Sequence, residues 1–332
     1  MRKILEQREL DNLSIYATKS KDATRRNPYT YEEFRTDFQI DRDKIYHCTS
    51  FRRLMHKTQV FISPMSDHYR TRLTHTLEVS QIARSIARGI CANEDLTEAI
   101  AIGHDLGHTP FGHTGEEALN NILKDFGGFK HNKHSVRVCE VLERDGKGLN
   151  LTFETLDGIE NHGTSSKPKT IEGEIVRLSD KIAYVNHDIE DAIRGKLISA
   201  IDLPQNSIEL LGDKSGDRIG FIIQDVINNS MNKQHIEISN DVNEALYGLR
   251  KFLFQNVYSN EDNVNERNKI EFILFALYNY FMKKPQEMPE EYISMLEKEK
   301  HREIVVCDYI AGMTDRYATN TFNSIYIPKG WI

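Results

Sequence analysis

The chain is expected to be all-α, with at most a short β-hairpin. Three observations predict this. Apolar residues recur at helical spacing through most of the length, plainly at Ile175, Leu178, Ile182, Val185, Ile189 and Ile193. Strand-like composition is confined to short stretches, VFISP at 60–64 and NTFNSIYIP at 320–328. The 332 residues are 39% hydrophobic and 28% charged, a balance that suits a folded globular chain.

Residues 1–45 are polar and locally basic, with Arg25, Arg26 and Pro28 in a loop and Arg35, Arg42 and Lys44 following, so they read as a solvated arm. A helix is expected through HCTSFRRLMHKT, 47–58, before the strand or turn that ends at Pro64. From Arg72 to Cys91, Leu77, Ile82, Ile86 and Ile90 recur at helical spacing. His75, Val79, Ile82 and Ile86 stand at i, i+4, i+7 and i+11, which puts His75 on the buried stripe. Asn93 or Asp95 caps the next helix, whose Leu96, Ile100 and His104 share a face. Gly127 and Gly128 mark a loop, and His131 and His134 open the helix that carries Val136, Val138, Val141 and Leu142. Residues 161–170 form another loop. The helix at 172–195 sets Asp180, Tyr184 and Asp188 at i, i+4 and i+8 in one polar stripe, with Lys181 beside it. Pro204, Gly212 and Gly216 make 202–218 a connector. Helices follow at 220–231, 244–258 and 269–284, with Tyr and Phe as core filler, and the last is expected at 305–318.

A net charge of −7 argues against general coating of DNA, although a local basic pocket can still hold a polyphosphate. Four cysteines without a CxxC pair fit reduced thiols and a cytoplasmic location. No apolar run follows MRKILEQREL, so no signal peptide is expected. The most apolar run, Phe272–Phe281, is too short to span a bilayer, so no membrane partner is expected.

Chemistry concentrates at 101–116, AIGHDLGHTPFGHTGE. His104, Asp105, His108, His113 and Glu116 fall within these sixteen residues, among Gly103, Gly107, Gly112 and Gly115. The plain alternative is a histidine-rich surface turn. The glycines favour a site, because they let backbone approach a ligand. With His75 and Asp180, His104 and Asp105 offer two imidazoles and two carboxylates, ligands that suit Mn, Fe, Co, Ni or Zn with positions left open. His113 and Glu116, at i and i+3, suit a general acid or base. Arg72, His108, His131, Lys181 and Tyr184 could surround a triphosphate.

Arg72-Leu-Thr-His75, His104-Asp105 and Asp180 together resemble the H…HD…D signature of the HD superfamily of metal-dependent phosphohydrolases. Three longer stretches resemble bacterial dGTP triphosphohydrolases and dGTPase-like proteins: FRRLMHKTQVF at 51–61, HDLGHTPFGHTGE at 104–116 and DYIAGMTDRYA at 308–318. The resemblance runs from about residue 35 to 320. It implies an HD-domain helical fold, with an arm and lead-in helix at 1–45, the catalytic core at 46–200 and a helical region at 201–332. It also implies hydrolysis of a deoxynucleoside triphosphate, dGTP by default, to deoxynucleoside and inorganic triphosphate. By motif, His75, His104, Asp105 and Asp180 match the ligands of a divalent metal, Mn, Mg, Fe, Co, Ni or Zn, with Mn or Mg serving in vitro. His113 and Glu116 match the catalytic pair, and His108 and His131 the histidines on the phosphate side. Arg72, Lys181 and Tyr184 match phosphate contacts; Gln59 and Asp188 match residues that hold the 3′-OH. Tyr184 would crowd a 2′-OH. The family precedent is a homo-oligomer, tetramer or hexamer, with an allosteric nucleotide and single-stranded nucleic acid as further partners.

The chain departs from the family pattern at Ile40 and Lys44, where arginines often flank Asp-Arg-Asp, and at His134, where glutamine is usual. It is also short for the family. These changes leave the metal ligands intact and bear on base choice and on a second nucleotide site. Two other readings remain. One is another HD phosphohydrolase, acting on a monophosphate, cyclic nucleotide or ppGpp. Against ppGpp, the HDxxED of those enzymes is replaced by His104-Asp105-Leu106-Gly107-His108-Thr109. The other is a non-catalytic dNTP sensor or nucleic-acid-binding protein, against which the full ligand set and His113 with Glu116 argue.

Overall fold

The computed structural model describes residues 1–30, 32–59, 68–163, 166–258 and 261–329, with side chains in the last stretch from 265 onward. The strand or turn expected at 60–64 lies outside the described residues. Among those described there is no strand, only isolated bridges Arg25–Thr152 and Thr58–Thr71, and the fold is all-α. The longer helices are α1 Arg2–Asn12, α2 Asp37–Tyr46, α3 Arg72–Gly89, α4 Glu94–Gly103, α5 Gly112–Ile122, α6 Ile171–Arg194, α7 Ser215–Ser230, α8 Asn240–Leu253, α9 Glu261–Lys283, α10 Arg302–Ala311 and α11 Asp315–Tyr326. The chain forms two compact units. One comprises Met1–His47, Thr74–His104 and Leu149–Asn260; the other Cys48–Leu73, Asp105–Gly148 and Glu261–Ile332.

In the first unit, α4 is the hub. It packs against α2, α6 and the short helix Phe153–Glu160, and every residue from Leu96 to Gly103 is buried. Asn93, not Asp95, caps it, accepting the Leu96 N–H at 3.2 Å. His75, Val79, Ile82 and Ile86 are all buried on α3, as the spacing requires, whereas Leu77 points to solvent. The N-terminal segment is a solvated arm only in part, since α1 buries no residue whereas α2 is packed. Phe38, Ile40 and Ile45 are buried in α2, and Arg25 is buried between Asp37 at 3.0 Å and Asp41 at 2.5 Å. The expected connector at 202–218 also needs correcting, because it holds a helix, Gln205–Leu211, and the start of α7.

In the second unit, Leu274, Leu277 and Phe281 of α9 pack with Leu119 of α5 and with Val306 and Ile310 of α10. Phe272 and Phe275 face out, 65% and 56% exposed, so the aromatic residues here are only partly core filler. The helix expected at 47–58 is shorter: Thr49–Arg53, one 3-10 turn at Leu54–His56, then extended backbone at Lys57. The helix expected at 305–318 is two. α10 ends at Ala311, and Thr314 starts α11 by accepting the Tyr317 N–H at 3.1 Å. Residues 320–326, expected as strand, are the second half of α11, whose Phe322 and Ile325 pack on the core. Burying that face outweighs the β-leaning composition.

Candidate active site

Three side chains of the first unit converge. α3 supplies His75 from its buried stripe, α4 ends at His104, and α6 contributes Asp180. One ligand atom of each lies within 4.8 Å of the other two. His75 Nε2 is 3.1 Å from Asp180 Oδ1, and His104 Nε2 is 3.9 Å from the same oxygen. His104 Nδ1–H donates to Ala101 O at 2.6 Å, which fixes the tautomer and leaves Nε2 as the ligand atom. Burial alone would raise Asp180, but the His75 hydrogen bond and the nearby histidine charges bring it down to about 2. An ionised carboxylate and imidazole nitrogens with lone pairs fit a divalent cation with positions left open. His162 stands behind this group: its ring centroid is 5.0 Å from that of His104, and its Nδ1–H donates to Ile159 O at 2.7 Å.

On α6 the polar stripe continues. Asp188 accepts a short hydrogen bond from the Tyr258 hydroxyl. Burial pushes Tyr184 up to about 12, against a hydrogen bond with Arg250. Lys181 is lowered by burial and by the charges of Arg250 and Arg177. The stripe is therefore a mixed acidic and basic surface, with its cations toward Tyr184.

The second unit holds the other candidates. Phe111 and Gly112 are both left-handed, φ 62° and 57°, and this turn starts α5. His113 and Glu116, the second and fifth residues of α5, lie on one face. The Glu116 carboxylate accepts from the His131 main-chain N–H at 2.8 Å and from His131 Nδ1–H at 2.9 and 3.0 Å. His113 Nδ1 is 3.5 Å away, on an exposed side chain. Burial would raise Glu116, but these histidine contacts hold it well below the usual carboxylate range. His108 stacks on His131 with centroids 4.1 Å apart. Burial first, then the charges of Arg72 and His131, push it well below the ordinary histidine value, so it is neutral at pH 7.

Arg72 and Asp105 pair at 2.7 Å. Two further Arg72 donors go to Thr58 O at 3.2 Å and Gln59 O at 3.1 Å. Arg72 is thus buried as the holder of Asp105 and of the 58–59 backbone. Asp105 also lies 3.7 Å from His108 Nε2. Gln59 is buried, and among the described residues its side-chain Oε1 has no partner. Two of the glycines let the chain pack closely on itself. A Cβ on Gly107 would lie 2.1 Å from Ser135 N, and one on Gly115 2.0 Å from Pro110 O.

The HD domain family matches residues 72–185, and the phosphohydrolase-associated domain matches 236–324. A deoxyguanosinetriphosphate triphosphohydrolase-like protein of Caldanaerobacter subterraneus subsp. tengcongensis is 54% identical over 332 residues, covering 100% of this chain and 97% of that protein. Proteins of the same description from Clostridium perfringens strain SM101 and Clostridium tetani are 52% and 47% identical, covering 90% and 99% of this chain and 89% and 97% of their own lengths. The chain belongs to the HD superfamily, among its dGTP triphosphohydrolase-like members.

As an HD-type phosphohydrolase it places His75, His104, Asp105 and Asp180 inside the matched 72–185 span. Among the described residues no helix is long and apolar enough to cross a membrane. Sequence reasoning missed Arg250, Tyr258, His162 and Lys57. The first two sit in segments that read as apolar helix, and His162 in a plain loop. Only Lys57 had a signal, its place inside the 51–61 stretch.

Proposed function

We propose that this phosphohydrolase cleaves a deoxynucleoside triphosphate, dGTP by default, into deoxynucleoside and inorganic triphosphate. Water adds at the α-phosphorus, the bond from phosphorus to the 5′ oxygen breaks, and that oxygen takes a proton. The observation that carries the reading is the His75, His104 and Asp180 cluster with the His104 tautomer fixed by Ala101. Asp105, next in the chain to His104, is the proposed fourth ligand, held by Arg72. When bound, a divalent ion such as Mn or Mg supplies Lewis acidity at phosphorus and ionises water near neutral pH.

His113 is the proposed donor to the leaving 5′ oxygen. Its exposure lets it exchange protons with solvent, and Glu116, which stays ionised, orients it. His131, fixed by the same carboxylate, and neutral His108 serve the phosphate side. Lys181 and Tyr184 contact phosphate, joined by Arg250, whose charge lies beside both. Asp188, held by Tyr258, and Gln59 take the 3′-OH. We place the enzyme in the cytoplasm as a homo-oligomer. The test is product analysis with Mn and each dNTP in turn. Inorganic triphosphate is the expected product; orthophosphate or pyrophosphate instead would overturn the reading.

A further inference from the structure

Two stretches that carry the family resemblance, 51–61 and 308–318, contribute only Gln59 to the proposed reaction. Within the second unit they converge on the backbone of the histidine loop. Lys57 is fully buried, and its Nζ donates to Ala311 O at 2.7 Å and, in a short hydrogen bond, to His108 O. Asp315 is buried as well. Its Oδ1 accepts the Phe111 N–H at 2.9 Å; its Oδ2 accepts the Thr58 N–H at 2.9 Å and the Thr58 hydroxyl. Residues 57–58, 108–111 and 311–315 are thereby tied together through side chain to main chain.

The two anchored groups, His108 O and Phe111 N, bracket Thr109 and Pro110. Fixing both fixes where the His108 ring points and where α5 begins, hence the positions of His113 and Glu116. Phe111 also needs holding, because its left-handed backbone, φ 62° and ψ 28°, is unfavourable for a residue with a side chain. Stability alone is a poor reason for Lys57. A buried ammonium loses its hydration, and a methionine of similar length would fill the space without that loss. A group that burdens the fold while it secures the loop of the site is there for geometry.

We infer that Lys57 and Asp315 are positioning residues for the reaction: they clamp the main chain of 108–111 and through it orient His108, His113 and Glu116. The inference rests on the proposed hydrolysis, and its test separates the two. Full-length Lys57→Met and Asp315→Asn chains, loaded with Mn, are compared with wild type for kcat, KM and melting temperature. Imidazole NMR of His108, assigned with a His108→Gln chain, is recorded without substrate.

Lys57→Met should lower kcat about 10²-fold, the loss that a displacement of about 1 Å produces, with KM within about threefold. Its melting temperature should fall only modestly, because relief from burying Lys57 offsets part of the cost of leaving the His108 and Ala311 carbonyls unpaired, and the loss of kcat should far exceed that fall. The His108 resonances should shift while those of exposed His235 stay in place. Because both variants release one loop, the double variant should be little worse than the poorer single one. An unchanged kcat with unmoved His108 resonances would overturn the clamp. So would a kcat that falls only in step with melting temperature. If the wild-type chain releases no triphosphate, the hydrolysis reading fails, and the His108 resonances alone decide the clamp.

Discussion

His75, His104 and Asp180 in one unit, and His108, His131 and Glu116 in the other, use the same ingredients: two imidazoles and a carboxylate. They are wired differently. Asp180 meets the Nε2 atoms of its histidines, and His104 has spent its Nδ1–H on a main-chain carbonyl. Glu116 meets Nδ1 atoms and a main-chain N–H, so its oxygens already hold donors. Both histidines of the first group are buried, whereas the second group is joined by exposed His113. Residue type alone does not separate the jobs. Which ring nitrogen faces the carboxylate, and whether a ring reaches water, is what favours the proposed division, a cation at the first group and proton transfer at the second.

The largest expected effect follows from breaking the first group. Asp180→Asn should abolish bound divalent metal, read by elemental analysis of the purified chain, and cost at least about 10³-fold in kcat. A variant that keeps full metal occupancy would show that the cation lies elsewhere. Glu116→Gln should reverse the pattern, with metal content unchanged and kcat lower by about 10²- to 10⁴-fold. It also has a stability signature. The carboxyl of Glu116 is depressed from its ordinary 4.5, so its contribution is complete above that value and is lost as pH falls toward the folded-state value. The melting-temperature gap between wild type and Glu116→Gln should therefore be full at pH 7 and shrink below about pH 4.5. A gap that widens in acid would contradict the assignment. Next in size is Tyr184→Ala, which should raise the turnover of GTP relative to dGTP by about 10- to 10²-fold. Continued exclusion of GTP would count against a sugar-sensing role for the tyrosine.

How much of this was readable in advance depends on what each residue answers to. His75 and Asp180 answer to helix period. One sits on an apolar stripe and the other on a polar one, so spacing alone put them on the right faces. His104 and Asp105 answer to a dense local cluster. Lys57, Asp315 and Arg72 answer to main-chain groups far along the chain, and a carbonyl oxygen leaves no mark in a sequence. Gly107 and Gly115 allow close approach as read, and the groups that approach them are Ser135 and Pro110. The 320–326 segment shows the same limit in the fold, because its helix is decided by the core beneath Phe322 and Ile325.

The smallest expected effect tests where the second group ends. His134, where the family resemblance predicts glutamine, donates from Nδ1 to Gly107 O at 2.9 Å and faces Asp308 Oδ1 from Nε2 at 3.2 Å. Asp308 is already held by Arg137, through Nε at 2.9 Å and a second guanidinium nitrogen at 2.7 Å. A side-chain amide can still donate to the Gly107 carbonyl, so His134→Gln forfeits at most one shared hydrogen bond, about 1 kcal/mol. The melting temperature should stay within about 3 °C and kcat within about threefold of wild type. A collapse of kcat at unchanged melting temperature and metal content would extend the proton-handling group from His131 to His134. This departure from the expected pattern would then belong to the chemistry rather than to the support of the loop.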